Sequence, residues 1–215
     1  MANVLEDLLE ALEDVDDATR EEAAQTLAGL GDPATLDALI SACNDDFWSV
    51  RAHAGCGIAK IGGPKAVEAL VGLFNDPIME VRDQAVEATA KIGPIVLDRL
   101  VTAMKDERWR VREHAAKAAG KIKDSGIVDA LIGACRDRDG AVKSAAAEAL
   151  GKIADAKAIP ALIKLFRDSS KIVRETAGTA LVYIGYPSVD PLLDSLTDKD
   201  FVVRCHAARA LGGMT

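Results

Sequence analysis

Acidic and basic side chains recur in this chain at one fixed spacing. Asp45 precedes Arg51 by six residues, and the same arrangement returns along the whole sequence. An arginine facing a carboxylate can act in an active site, or it can join two structural elements through a two-pronged salt bridge. The basic members are Arg20, Arg51, Arg82, Arg112, Lys143, Arg174 and Arg204, and the aspartates are Asp14, Asp45, Asp76, Asp106, Asp137, Asp168 and Asp198.

The regularity of the pairs favours the structural role. The steps between the basic residues are 31, 31, 30, 31, 31 and 30 residues. Active sites are not built seven times in one chain, whereas stacked repeats need a joint between each pair of neighbours. We therefore predict that each basic side chain contacts an aspartate in the turn between repeats. Lys143 lacks the planar fork of arginine, so its joint is expected to be looser.

The histidines and cysteines do not form a predicted metal site. His53, His114 and His206 all follow a basic residue by two positions, two or three repeats apart. That places them roughly 20 to 30 Å apart by helix spacing, far more than a shared metal ion allows. The four cysteines show no C-x-x-C spacing, and we find no phosphate-binding loop or hydrolase motif. We predict no catalytic residue, no metal, no cofactor and no enzyme activity.

Each repeat contains two helical patterns, here called helix A and helix B. Residues 142–153 are typical of helix A and residues 158–168 of helix B, because their apolar residues follow helical spacing. Gly62-Gly63-Pro64, Gly93-Pro94 and Asp32-Pro33 mark turns between A and B. Helix A should begin after the N-cap residues Asp139, Ser170 and Asp200.

The order of the patterns predicts the fold class. Residues 4–14 match a B helix and residues 202–214 match an A helix, so a half-repeat lies at each end. One helical hairpin cannot bury its own apolar face, so neighbouring hairpins must stack. We predict an all-α protein: a right-handed α–α superhelix of about seven repeats, forming one domain over residues 1–215. No apolar run is long enough for a membrane span, and we expect a soluble, cytoplasmic protein.

The Asp–x5–Arg pairs and runs such as "AAAEALGKI" (145–153) resemble the HEAT-like repeat family. Its short form also occurs in phycobilisome lyases and deoxyhypusine hydroxylases. The resemblance implies a solenoid scaffold whose A helices line a concave surface. The hydroxylases hold iron with His-Glu dipeptides, whereas this chain has Glu113-His114 in the reverse order. The resemblance therefore does not extend to hydroxylase activity.

One position of helix A combines variation with large apolar side chains. Three residues before the basic residue, the copies have Asp17, Trp48, Met79, Trp109, Gly140, Lys171 and Phe201. Helical geometry places this position at one margin of the exposed face and the histidine position at the other. Trp48, Met79 and Trp109 would form a stripe roughly 20 Å long. The stripe could bind a partner, or each tryptophan could cover a junction between repeats.

Charge is unevenly distributed along the chain. Residues 1–46 contain 13 acids and one base, whereas residues 105–123 contain seven bases and three acids. The second cluster could hold a phosphate, an acidic peptide or a tetrapyrrole propionate, or it could be a solvated face. The net charge of −8 argues against general nucleic-acid binding.

These patterns favour a non-enzymatic scaffold that binds a partner protein or peptide along the A helices. One alternative is phycobilisome-lyase-like handling of a bilin, with Trp48 and Trp109 stacking on its rings and Arg110 or Lys117 holding propionates. Another is weak nucleic-acid or phosphate binding at residues 105–123. An uncovered terminal helix could also form a homodimer. The predicted partner-binding residues are Trp48, His53, Met79, Gln84, Trp109, Arg110, His114, Lys117, Lys121, Tyr183 and Phe201.

Overall fold

The computed structural model describes residues 2–214, with side chains from Val4 onward. Within this range the chain forms fourteen α-helices and five short 3₁₀ turns, and no strand. The helices are α1 (Ala2–Ala11), α2 (Asp17–Leu30), α3 (Leu36–Ala42), α4 (Trp48–Ile61), α5 (Gly63–Leu73), α6 (Met79–Ile92), α7 (Leu97–Ala103), α8 (Trp109–Ile122), α9 (Val128–Ala134), α10 (Gly140–Ile153), α11 (Ile159–Leu165), α12 (Lys171–Ile184), α13 (Val189–Ser195) and α14 (Phe201–Gly212).

The even-numbered helices are the predicted A helices and the odd-numbered ones are the B helices. Helices α2 to α12 of the A set have 14 residues each, whereas most B helices have seven and follow a 3₁₀ turn. Neighbouring A helices pack against one another within each unit: α4 packs against α2 and α6 in the first, and α10 packs against α8 and α12, and α12 against α14, in the second. B helices pack against A helices as well, for example α3 against α4 and α9 against α10. The predicted α–α superhelix of two-helix repeats is confirmed.

The chain divides into two compact units, Met1–Arg99 and Leu100–Thr215, with the boundary inside α7. Fully buried side chains in the first unit include Leu27, Ile58 and Phe74. Those in the second include Leu150 and Phe166. Small and branched apolar residues therefore fill both cores, as the composition predicts. The single-domain organisation over residues 1–215 stays a prediction.

The turns between A and B helices occur in two lengths. Three of the longer turns contain a left-handed residue followed by an aspartate N-cap, as at Ala154 (φ 59°) and Asp155, and the turn after α4 contains Gly62 and Gly63 instead. The shorter turns use a single glycine instead, Gly93 (φ 86°, ψ −161°) or Gly185 (φ 77°, ψ −140°). Only glycine adopts that backbone conformation readily. The two shorter turns fall in the two 30-residue steps of the sequence, so they account for the missing residue.

Most of the predicted capping is present. Asp139 and Asp200 cap α10 and α14 by accepting a hydrogen bond from the amides of Ala141 and Val202. Ser170 occupies the N-cap position of α12, but its side chain accepts no hydrogen bond from the helix. Instead, the side chain of Asp168, three residues after α11, accepts a hydrogen bond from the Ser170 amide.

The predicted joint between repeats is well formed at Arg112. Its Nε and Nη2 donate to the two carboxylate oxygens of Asp137 at 2.6 and 2.8 Å, and its Nη1 donates to the carbonyl of Asp106 at 2.8 Å. Burial alone would raise the pKa of Asp137, but hydrogen bonds from Arg112 and the Asp139 amide outweigh burial and lower it. Two-pronged joints also connect Arg20 with Asp45 and Arg51 with Asp76. Lys143 reaches Asp168 through its single nitrogen.

The joint fails where the sequence step is short. Asp137 follows Arg112 by 25 residues, but Asp198 follows Arg174 by only 24. Arg174 and Asp198 share no hydrogen bond among residues 2–214, so the predicted pair is wrong. Arg174 Nε instead donates to Nε2 of His206 at 3.3 Å, and Asp198 pairs with Arg167. The short turn at Gly185 changes where the following B helix presents its aspartate.

Three further joint residues make only part of the predicted contacts. Arg82 Nη1 donates to the Asp76 carbonyl at 2.6 Å, while its Nε is buried without a hydrogen-bond partner in the described part of the chain. Asp106 pairs with the nearby Arg108 at 2.8 Å. Arg204, in the last A helix, donates to the Asp198 carbonyl at 2.7 Å, and no ion pair forms with it within residues 2–214.

Two glycines let the A helices of the second unit approach each other closely. A Cβ atom on Gly120 would lie 2.8 Å from the Cα of Ala149, and one on Gly151 would lie 2.7 Å from the Cα of Ala180. Both distances are shorter than real contacts of a Cβ atom. The backbone of α10 is therefore nearly in contact with the backbones of α8 and α12.

Candidate functional site

The varied large apolar side chains occupy the first residue of their A helices. Trp48 is 40% exposed, Met79 57%, Trp109 39% and Phe201 66%. The turn before each helix is fixed by the aspartate of the joint, since Asp45, for example, accepts the amide of Phe47 at 2.8 Å. These four side chains are partly exposed, and each follows a turn that contains such a hydrogen bond. Their role in binding stays a prediction.

A groove lies on the A helices of the first unit, between α4 and α6. Its volume is about 430 Å³, and its lining includes the predicted residue Gln84, together with Cys56, Lys60, Glu87 and Lys91. Cys56 lies 3.8 Å from the amide oxygen of Gln84. Burial raises the pKa of the Cys56 thiol, so this side chain is a neutral wall of the groove. The groove offers amide and charged groups of both signs.

The histidine position is not equally exposed in the three copies. His114 is only 2% exposed, so the prediction that it lies on the solvent face is wrong. Its Nδ1 donates to the carbonyl of Arg110 at 2.7 Å. His53 is half-buried and makes the same contact with the Ser49 carbonyl at 2.9 Å. His206 stacks on Phe166, with ring centroids 5.5 Å apart. The ring is therefore buried at His114 and half-buried at His53 and His206, and at His206 it contacts a residue at the end of a B helix of an earlier repeat.

The basic cluster at residues 105–123 is only partly available to a ligand. Arg110 lies over the Trp109 ring at 4.9 Å, in a cation–π contact, and both side chains are exposed. Lys117 is half-buried and pairs with Glu113 at 2.7 Å. Lys121 is exposed on the same helix. Trp109 and Arg110 therefore form an exposed aromatic and cationic pair within the cluster.

Tyr183 and Phe201 are both well exposed, at 65% and 66%, but they lie at different places on their helices. Phe201 is the first residue of α14, under the guanidinium of Arg204 at 5.7 Å. Tyr183 lies near the end of α12, about 18 Å along a helix from its first residue. The two side chains do not form one cluster.

A second cavity was missed by the sequence prediction. It has a volume of about 420 Å³ and lies between the B helices α9 and α11, with Arg136, Lys164 and Arg167 among its lining residues. The signal for it is present in the sequence, because basic residues precede the joint aspartates at Arg136 and Arg167. In residues 2–214 no three His, Cys, Asp or Glu side chains converge as a metal site, and no helix is long and apolar enough to cross a membrane.

Stacked two-helix repeats, several of them linked by an arginine–aspartate joint, define an α–α superhelical repeat protein. A family model for HEAT repeats matches residues 5–90, 97–181 and 160–215, so the chain belongs to the HEAT-repeat family. The more specific resemblance to phycobilisome lyases stays a prediction. A comparison with curated protein sequences finds no significant match.

Solved structures with a similar fold share little sequence with this chain. Importin β is 17% identical, with a TM-score of 0.67 over 98% of this chain and 37% of its own. Yeast importin-β (Kap95p) is also 17% identical, with a TM-score of 0.64 over 99% of this chain and 35% of its own. YibA of Escherichia coli is 23% identical, with a TM-score of 0.54 over 97% of this chain and 81% of its own. These similarities establish the fold.

Proposed function

We propose that this protein is a non-enzymatic scaffold that binds a partner protein or peptide along the exposed face of its A helices. The observation that carries this proposal is the exposed large apolar side chain at the start of four A helices. Single exposed apolar residues are ordinary, but a set at one repeat position calls for an explanation. Tryptophan and methionine are also enriched at interfaces.

The first unit provides the best-developed part of this surface. Trp48 and Met79 begin α4 and α6, and the groove with Gln84 lies between the same two helices. A partner can place apolar side chains against Trp48 and Met79 while its backbone hydrogen-bonds to Gln84. Lys60 and Lys91 lie beside Glu87 in the groove, so partner groups of either charge find a counterpart.

The second unit presents a smaller version of the same surface. Trp109 and the stacked Arg110 offer an aromatic face with a positive charge, which suits an acidic or aromatic group of a partner. Kap95p, which shares the fold at 17% identity, binds RanGDP. That example supports a binding role for a HEAT-repeat surface without indicating this chain's partner. The bilin and nucleic-acid alternatives stay predictions, since no observation favours either of them.

Selection of peptides from a displayed random library tests this proposal, because the library itself supplies the candidate partners. Selected peptides should bind with a dissociation constant that Trp48→Ala or Met79→Ala raises at least tenfold. The matched control is Ile95→Ala, which removes an 83% exposed apolar side chain outside the A helices. Circular dichroism should show that all three variants keep the helical content of the original chain.

Two outcomes would contradict the proposal. One is a library that yields no peptide above background. The other is a set of peptides whose affinity falls as much with Ile95→Ala as with Trp48→Ala. For the second unit, Trp109→Ala serves as the test, and Tyr186→Ala, which removes an 89% exposed ring from a turn, serves as its control.

A further inference from the structure

The cavity between α9 and α11 lies on the B helices and is separate from the proposed A-helix surface. At about 420 Å³ it falls in the size range of small-ligand sites. Cys135 and Leu165, 4% and 6% exposed, form its floor, and Ile132 and Pro160 add apolar wall. The cavity thus has an apolar interior of the kind that ligand sites share.

The rim of the cavity carries more positive charge than its salt bridges neutralise. The lining includes five basic residues and two acids, Asp137 and Asp168. Both aspartates already form salt bridges between repeats, Asp137 with Arg112 and Asp168 with Lys143. The remaining bases are Arg136, Lys157, Lys164 and Arg167.

Two of these four bases also have carboxylate partners. Lys157 pairs with Asp129 at 2.6 Å, and Arg167 pairs with Asp198. Arg136 and Lys164 have no carboxylate partner within residues 2–214, and both side chains are exposed at the cavity. Two uncompensated positive charges therefore lie beside an apolar interior.

The other repeats show that the scaffold does not need these charges. They have residues of every charge at these two positions. At the position of Arg136 they have Glu13, Asn44, Asn75, Lys105, Arg167 and Thr197, and at the position of Lys164 they have Glu10, Ser41, Gly72, Thr102, Gly133 and Asp194. The fold therefore does not require a base at either position.

We infer that this cavity is a binding site for an oxyanion, a carboxylate or a phosphate, carried on a ligand with an apolar part. The guanidinium of Arg136 can donate to two oxygens of such a group, and Lys164 supplies a point charge. The apolar part lies against Ile132 and Leu165. This inference does not depend on the function proposed for the A helices.

The chemistry of Cys135 is consistent with an anionic ligand. Burial raises the pKa of its thiol to about 12, so the thiol stays neutral and does not repel an anion. A buried neutral thiol behaves as a small apolar side chain. The floor of the cavity therefore contacts the apolar part of the ligand, and the charged rim contacts the oxyanion.

NMR titration of the ¹⁵N-labelled full chain tests the inference with two probes, inorganic phosphate and the peptide acetyl-Glu-Leu-Glu-amide. At low ionic strength, the amide signals of α9 and α11 should shift with a dissociation constant of about 1 mM or tighter for at least one probe. Tighter binding of phosphate would identify a phosphate ligand, and tighter binding of the peptide would identify an acidic segment.

The test variant is Arg136→Gln/Lys164→Gln, which should weaken binding at least tenfold. The control is Lys152→Gln/Lys171→Gln, which removes the same charge from α10 and α12, away from the cavity. Equal weakening in the two double variants would overturn the inference, because net charge would then explain the binding. Absence of shifts in α9 and α11 with both probes would also overturn it.

Discussion

The two compact units of this chain share one scaffold but have opposite charge. Residues 1–99 contain 19 acids and 7 bases, a net charge of −12, whereas residues 100–215 contain 15 acids and 19 bases, a net charge of +4. The joint between Arg51 and Asp76 in the first unit has the same geometry as that between Arg112 and Asp137 in the second. The surface can therefore diverge while the contacts that hold the repeats together stay the same.

If the joints are equivalent in the two units, breaking them should have equal effects. Arg51→Gln and Arg112→Gln should each lower the free energy of unfolding by about 3 kcal/mol, because they leave the buried Asp76 and the mostly buried Asp137 without a partner. Arg174→Gln, which loses no carboxylate contact, should cost about 1 kcal/mol. Urea denaturation measures all three. Equal losses for Arg112→Gln and Arg174→Gln would show that the carboxylate contributes nothing.

The packing of the A helices should distinguish the units more than the joints do. A Cβ on Gly151 meets backbone at 2.7 Å, whereas one on Gly57 meets the side chain of Leu39 at 2.9 Å and the Cα of Ala28 at 3.0 Å. A backbone contact at 3.0 Å needs a smaller shift than one at 2.7 Å, and the Leu39 side chain can move. Gly151→Ala should therefore cost about 2 kcal/mol and Gly57→Ala less, about 1 kcal/mol. Thermal and urea denaturation measure both losses.

A third glycine provides the control for that comparison. Gly133 lies in α9, and a Cβ there meets nothing within 4 Å. Gly133→Ala should therefore stabilise the protein by about 0.5 to 1 kcal/mol, through helix propensity alone. If Gly151→Ala were as stabilising as Gly133→Ala, the close approach of α10 and α12 would be wrong.

The substitute joint at His206 should make the second unit sensitive to mild acid. Burial lowers the pKa of His206, and the charge of Arg174 lowers it further. A histidine whose pKa is lower in the folded state contributes stability above its unfolded value of about 6.5, and this stability is lost as pH falls from that value through the folded pKa. We therefore expect the free energy of unfolding to fall as the pH drops below about 6.5.

Urea denaturation of two variants at several pH values isolates this contribution. His206→Asn should remove the part of the pH dependence that comes from the histidine, and Arg174→Gln should reduce it. An unchanged slope in His206→Asn would mean that the acid sensitivity arises from other groups. The joint at Arg112 behaves differently, because the pKa of Asp137 lies below its usual value of 3.8 and this carboxylate stays ionised over the same pH range.

The smallest expected effect is a difference in fluorescence quenching between the two tryptophans, which arises from the charge around them. Trp48 follows Asp45 and Asp46, whereas Trp109 lies between Arg108 and Arg110. Both rings are about 40% exposed, so ionic quenchers reach them. The charge near each ring should raise or lower the rate at which a charged quencher collides with it.

Variants Trp48→Phe and Trp109→Phe each leave one tryptophan to report. Iodide should quench Trp109 about twice as strongly as Trp48, caesium should show the reverse order, and 0.5 M salt should remove the difference in both cases. Identical quenching of the two rings at low salt would show that the opposite charges of the two units do not extend to this surface.

The scaffold could be predicted from sequence because its determinants are local and repeated. The Asp–x5–Arg spacing, the helical apolar pattern and the capping residues each recur in several copies, so a single irregular copy does not obscure them. The joint at Arg174 could not be predicted in the same way. Its failure depends on one missing residue in the turn at Gly185, which moves an aspartate located 13 residues further along the chain.

The candidate sites were harder to predict because burial depends on the neighbouring repeat. A helical wheel places His114 at the edge of the solvent face, yet its ring is buried. The cavity between α9 and α11 combines residues from two repeats, and its free charge emerges only once the partners of Lys157 and Arg167 are known. The structure supplies these pairings, of which Lys157–Asp129 has the same 28-residue spacing as Lys65–Asp37 in the first unit.

The 25-residue register between an arginine and its aspartate also constrains how such a gene can change in length. If a whole 31-residue segment is removed or duplicated, each arginine is still followed 25 residues later by an aspartate. Every joint can then form. Losing one codon from a turn breaks a joint, as the pair Arg174 and Asp198 shows. Recombination between copies therefore preserves the joints, whereas a one-residue deletion in a turn is accommodated with the loss of a joint.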